Sequence, residues 1–115
     1  MTLSTVISCL PTLRKISRAK TAKQRNLLLL KCDKKVLYSI CEICKNVVEK
    51  NIPISHARVK KLARFKKYIR LLSQKRTVPL KTKRKIILQK GGFLSSLLIP
   101  TTTILAQLLS DHLKS

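Results

Sequence analysis

Lys81-Thr82-Lys83-Arg84-Lys85-Ile86-Ile87-Leu88-Gln89-Lys90-Gly91-Gly92-Phe93-Leu94 divides the chain, because the character of the polymer changes across it. Nearly every turn before it carries a cation, whereas Gly91 to Ser110 carries no charge. Its basic part reads as a helix from about Lys81 to Lys90 that stops at the two glycines, since glycine tolerates the left-handed conformation that follows many helices. The expected organisation is an N-terminal arm (1–11), a basic helical domain (12–90) and a Gly-Gly joint with an apolar tail (91–115). The expected fold class is all-α, a small bundle of three to five short helices with that tail as an appendage.

Upstream of the divide, Thr77-Val78-Pro79-Leu80 is a linker, and before it Ser55 caps a helix from His56 to about Lys75. On that helix Val59, Leu62, Phe65, Ile69 and Leu72 recur at helical spacing and point inward. Asn51-Ile52-Pro53-Ile54 separates it from the strongest helical signal in the chain, because proline disfavours helix in the residue before it. That signal runs from Lys34 to Lys50 behind an Asp33 cap, with Leu37, Ile40, Cys41, Cys44, Val47 and Val48 on one stripe. Thr21-Ala22-Lys23-Gln24 fits the capping-box pattern and starts a short helix to about Lys31. Thr12 offers a cap to another, Leu13 to Lys20. Met1 to Leu10 is uncharged, ends at Pro11 and reads as a loosely attached arm.

With 115 residues the chain is one domain at most, and its formal net charge of +22 demands a polyanion to relieve self-repulsion. The four acids, Asp33, Glu42, Glu49 and Asp111, leave almost no material for paired-carboxylate chemistry. No phosphate loop or catalytic triad can be assembled either, so neither an enzyme nor a cofactor is expected. A hydrophobic fraction of 44% means that part of the chain folds, while 3% aromatics with no Trp removes the stacking platforms of single-strand readers. Binding through phosphates is left. Arg14, Lys15 and Arg18 form one cationic cluster, Lys60, Arg64, Lys67 and Arg70 a second, and Lys83, Arg84 and Lys85 a third. Their recurrence with so few acids between points to a polyanion, nucleic acid being the obvious one, held through its phosphates without regard to sequence.

Met1 to Leu13 lacks the charged start of a secretory signal, so the four cysteines are expected in a reducing compartment. Cys41 and Cys44 form a CxxC, and Cys32 and His56 would complete a zinc-type ligand set. Their spacing matches no zinc motif, and the first two sit on an apolar stripe, so core packing without metal is the expectation.

The tail, Phe93 to Leu109, has two readings. Interrupted by Pro100 and three threonines, it reads as an interfacial anchor in which Phe93, Leu94, Leu97, Leu98, Ile104 and Leu105 meet an anionic membrane or a capsid protein. Alternatively Leu97, Leu98, Ile104 and Leu108 fold back and complete a core that is otherwise too small. Gly91 and Gly92 likewise read as a helix stop or as a protease site in an exposed joint.

From Leu13 to about Ile99 the order of pieces resembles a small basic protein of polintons (Mavericks) and adintoviruses, itself likened to the adenovirus core protein X, or mu. Leu13-Arg14-Lys15-Ile16, Ile40 to Val47 with Ile52-Pro53-Ile54, Arg70-Leu71-Leu72 and above all Lys83 to Leu94 carry the resemblance. It implies a virion protein, present in the host nucleus during assembly, that condenses a double-stranded DNA genome. It also implies an adenovirus-type protease acting at Gly-Gly sites with an aliphatic residue two places before the first glycine. Here that place is Gln89. The rival expectations are a membrane-active minor capsid protein working through the tail, and a basic RNA-binding or ribosome-associated protein.

Overall fold

The computed structural model describes the backbone of residues 3–50, 54–74 and 77–114 and the side chains of 6–50, 54–74 and 77–107. Among the described residues every regular element is helical: α1 (Leu3–Ser8), α2 (Leu10–Ser17), α3 (Ala22–Lys31), α4 (Lys34–Val48), α5 (His56–Ala63), α6 (Lys66–Ser73), α7 (Leu80–Lys90), a 3-10 turn (Gly91–Phe93) and α8 (Leu94–Lys114). The fold is all-α, with more helices than the three to five expected.

Polar side chains at the starts of three helices satisfy amides that have no partner within the helix. Thr21 Oγ1 accepts from the Gln24 amide at 3.1 Å, and Gln24 Oε1 accepts from the Lys20 amide at 3.0 Å. Asp33 Oδ1 accepts from Lys35 and Val36 at 3.0 and 3.3 Å, which starts α4. Ser55 Oγ accepts from Arg58 at 3.4 Å and starts α5. On α4 the expected stripe is inside through Cys44, but Val36, Ser39 and Ile43 are buried beside it and Val48 is exposed. Helices pack on α4 from several sides: α6 most extensively, then α1 and α2.

Four expectations change. The helix expected from His56 to Lys75 is broken at Phe65, whose φ of −110° and ψ of 14° divide α5 from α6. At the break the Phe65 ring packs on Phe93, with centroids 5.5 Å apart and planes at 44°. The supposed N-terminal arm is α1 and the start of α2, with Val6, Cys9 and Leu10 buried. Pro11 does not close an arm; it sits in the first turn of α2, where a missing amide hydrogen costs nothing. Thr12 therefore lies inside that helix and caps nothing. Neither glycine of the joint takes the left-handed conformation; Gly91 has φ −73°. The left-handed residue is instead Lys50, at φ 61°, just past the end of α4. Asn51, Ile52 and Pro53, the expected helix break, lie outside the described residues, as do Lys75 and the side chain of Leu108.

Of the two readings of the tail, the structure shows the one in which it folds back onto the core and not the interfacial anchor. The tail is the long helix α8, and Phe93, Leu94, Leu97 and Leu98 before and within its first half are fully buried, against α2 above all and also α5. Pro100 does not bend it out of the fold. Thr101, Thr102 and Thr103 follow within the helix, their hydroxyls donating to the carbonyls of Leu97, Leu98 and Ile99 at 2.7, 2.7 and 2.8 Å. Two of these threonines are buried, which an apolar helix tolerates because each hydroxyl has this partner. No helix among the described residues is long and apolar enough to cross a membrane.

A fully buried Leu or Phe side chain contributes about 1.5–3 kcal/mol, so Phe93, Leu94, Leu97 and Leu98 together contribute on the order of the whole stability of a small domain, about 5–15 kcal/mol. The tail is part of the domain. Truncation after Gly92 therefore abolishes the helical circular-dichroism signal of the remainder. Leu97→Ala lowers stability by about 2–5 kcal/mol, while Ile99→Ala, at a 39% exposed position, changes it by less than about 1 kcal/mol. Thermal melts of the three variants check this, and a truncated chain that melts like the full one overturns it.

Candidate nucleic-acid interface

Each helix from α2 to α7 turns an apolar strip inward and leaves cations outside. Arg14 and Lys15 on α2, and Arg18 at its end, stand exposed opposite buried Leu13 and Ile16. Lys60, Arg64, Lys67 and Arg70 are exposed along α5 and α6, and Lys61 and Lys66 join them. The break at Phe65 leaves this row on two short helices where one continuous face was expected. The Arg64 guanidinium lies 6.0 Å from the centre of the Phe65 ring there. On α7, Lys85 is exposed and Arg84 half-buried. Lys90 reaches over Tyr68 of α6 at 6.0 Å, so cations from α6 and α7 share a neighbourhood. Lys81 extends the exposed set, as do Lys23 and Lys31 on α3 and Lys34 and Lys35 on α4.

Lys83 does not belong to this set. It is 6% exposed, packed with Ile87 on the inner face of α7, and it borders a cleft of about 190 Å³ with Tyr38, Cys41, Glu42 and Leu72. The helical period explains the correction: Lys83 and Ile87, four residues apart, fall on one face and occupy the interior together. A long aliphatic stem lets lysine fill such a position.

Gly91 is buried and Gly92 exposed, within a helical turn that leads directly into α8. A protease needs an extended, reachable backbone, which this joint does not present. What glycine provides at 91 is room: a β-carbon there would approach Arg25 Nε at 3.2 Å, so the Arg25 side chain would have to shift by a few tenths of an ångström. Arg25 Nε and Asn26 Oδ1 are buried without a hydrogen-bond partner, while Asn26 Nδ2 donates to the Leu88 carbonyl at 3.2 Å and ties α3 to α7. The anchor residues are likewise withdrawn: Phe93, Leu94, Leu97, Leu98 and Leu105 are buried and Ile104 is half-buried. Apart from Ile99 of α8, the exposed large apolar residues among those described lie elsewhere, at Leu27, Leu30, Tyr38, Val48 and Val59. Nothing in the periodicity of Leu27-Leu28-Leu29-Leu30 says which leucine faces out, because four in a row cover every side of a helix.

All four cysteines are free thiols; Cys9, Cys41 and Cys44 are buried and Cys32 is half-buried, its Sγ donating to the Leu29 carbonyl at 2.9 Å. Among the described residues no group of three or more His, Cys, Asp or Glu stands close enough to hold a metal. Burial pushes the Cys41 thiol up to about 11 against an ordinary 9.0, with the Lys83 charge pulling the other way. Burial also raises Cys44 well above the ordinary value, and Cys32 to a lesser extent with Arg84 opposing it. These thiols are uncharged at neutral pH and behave as small apolar groups.

Two measurements follow from this geometry. If the exposed cations hold a duplex, Lys83→Met keeps the affinity within about two-fold, whereas Lys85→Gln weakens it and flattens its salt dependence by up to about one unit of slope; equal losses from both would return Lys83 to the surface. The folded state favours the protonated Cys41 thiol, so that contribution is complete below pH 9.0 and is lost as pH rises towards about 11. The stability advantage of the parent chain over Cys41→Ala, about 1 kcal/mol at pH 8, therefore shrinks across that window. Denaturant unfolding of both proteins checks it, since lysine titration is common to the pair.

Set against known proteins, the chain matches no family model, no curated protein and no solved structure.

Proposed function

We propose that this protein binds double-stranded DNA through its phosphates, without regard to sequence, and neutralises and condenses it as a core protein of a polinton- or adintovirus-type virion. One observation carries the reading: every helix from α2 to α7 holds exposed cations around a shared apolar core, in a chain whose net charge is +22. Four acids cannot balance them, so the counter-charge comes from outside the molecule. The longest dimension of the protein is 41 Å, and duplex DNA of that length carries about 24 phosphate charges at one per 1.7 Å. The net charge of the protein is thus of the same order as that of a duplex of its own length. Cations spread over many helices suit a particle that neutralises several passing duplexes better than a reader of one groove, which concentrates its contacts on one element.

The resemblance of Lys83 to Leu94 and the segments before it to the adenovirus-like core protein agrees with this reading, and burial of the tail weighs against the membrane-active alternative. Affinity for any duplex is high at low salt and collapses as salt rises, with log K falling by about 0.9 per phosphate contact for each unit of log salt. Replacing Lys60, Arg64 and Lys67 together by Gln weakens binding to unrelated duplexes equally and reduces the slope by up to about 2.7. Fluorescence anisotropy with two duplexes of different sequence and one double-stranded RNA measures both. A loss confined to one sequence sinks the phosphate reading, and a strong preference for the RNA replaces DNA as the partner.

A further inference from the structure

A groove of about 720 Å³ lies between the end of α4 and the α5–α6 pair, away from the α2–α8 contact. Val47, Val48, Ile54, Val59, Leu62 and Ile69 supply its apolar lining, and Val48 and Val59 are 43% and 50% exposed. Lys50, Lys66 and Arg70 stand on its border. Lys66 and Arg70 are four residues apart on α6, so their charges follow one edge of the groove a helical turn apart. Lys50 holds the one left-handed non-glycine backbone among the described residues, a conformation that costs a lysine about 1 kcal/mol or more. DNA does not account for the combination: a phosphate backbone answers the cations and leaves the valines wet.

We propose that this groove docks an acidic amphipathic helix of another protein, its apolar stripe on Val48, Val59 and Ile69 and its carboxylates against Lys50, Lys66 and Arg70. Charge fixes the sign of the partner, since a second copy of a +22 chain is repelled and this chain has four acids in all. Shape fixes its form. With Val48 and Val59 half exposed in its lining the groove is open to solvent, as suits a helix that buries one face, whereas sites for a single acyl chain or a small ligand enclose most of the surface of their occupant. The spacing of Lys66 and Arg70 matches carboxylates at i and i+4 on a helix lying alongside α6. Such a partner gives the protein two separate attachments, phosphates over much of its surface and one helix in this groove.

The test uses the full chain and two fluorescein-labelled peptides of identical composition, each about four helical turns of Leu, Ala and Glu. One carries its leucines in a stripe at i, i+3, i+4 and i+7; in the other they are scrambled, so net charge is the same and the apolar face is lost. The striped peptide binds at least about ten-fold more tightly than the scrambled one, a difference of about 1.4 kcal/mol. Val48→Asn with Val59→Asn removes the preference, and circular dichroism shows the variant folded because both sites are exposed. Its affinity for duplex DNA is unchanged, which separates this proposal from the DNA reading. Lys66→Gln with Arg70→Gln weakens the striped peptide further than the scrambled one. Equal binding of the two peptides overturns the proposal, as does a preference that survives in the valine variant. Displacement of the striped peptide by micromolar laurate, with no peptide preference, assigns the groove to an anionic amphiphile and overturns it as well.

Discussion

The fold depends on the contact between α2 and the first half of α8. Leu13 and Ile16 from one end of the chain and Leu94, Leu97 and Leu98 from the other are without solvent exposure, and Ser95 Oγ donates to the Ser17 carbonyl at 3.1 Å across this seam. A contact between residues so far apart in sequence must offset the entropy of closing the loop between them, a cost that grows only logarithmically with length. Once it forms, everything between is held: α4 rests on α6, and α7 reaches α3 through the Asn26–Leu88 bond. Without α8 the apolar strips of α2 and α5 would lose their cover, under a charge that drives the helices apart.

That charge sets the second constraint. A +22 domain repels itself, and Lys45 with Glu49 at 3.9 Å is an exposed pair of the kind that contributes at most about 1 kcal/mol. Four acids against 26 Lys and Arg leave internal ion pairing little with which to offset the repulsion, so the apolar core carries the fold. Any ligand that binds the folded chain and not the unfolded one raises its stability by mass action. On the proposed reading, DNA is such a ligand, and compaction of the genome and stabilisation of the protein are one equilibrium.

Where a single side chain has one local job, the sequence was readable. Thr21, Asp33 and Ser55 cap the helices they were expected to start, and α4 showed its period because polar residues interrupt its apolar ones. The two ends of the chain were not readable in this way. Met1 to Leu10 and Phe93 to Leu109 carry no charge, and their polar residues are mostly Ser and Thr, whose hydroxyls a helix can bury on its own carbonyls, so a helix packed into the core looks the same as an unattached arm or tail. Pro11 and Pro100 strengthened the wrong impression. One stands where a helix accepts proline without loss, and the other sits in a helix secured by its packing on both sides. Gly91 was expected to serve backbone conformation and serves instead the close approach of Arg25. Such a reason depends on a residue from another helix, and no local pattern encodes it.

Two cations break the rule that the others follow. Lys83 occupies an interior position where the helical period asks for an apolar residue, and Lys50 takes a backbone conformation that glycine would hold at lower cost. Neither departure helps to neutralise a polyanion, for which an exposed lysine on any helix surface would serve equally. Both border hollows along α4, Lys83 beside the cleft of Tyr38 and Cys41, and Lys50 at the rim of the groove lined by Val48 and Val59. Local and global preferences normally agree in a folded chain, and the places where they conflict are where function exacts a structural cost. In this protein those conflicts gather along α4, apart from the α2–α8 seam that secures the fold. The α4 side is therefore where the molecule departs from a plain apolar core under a cationic surface.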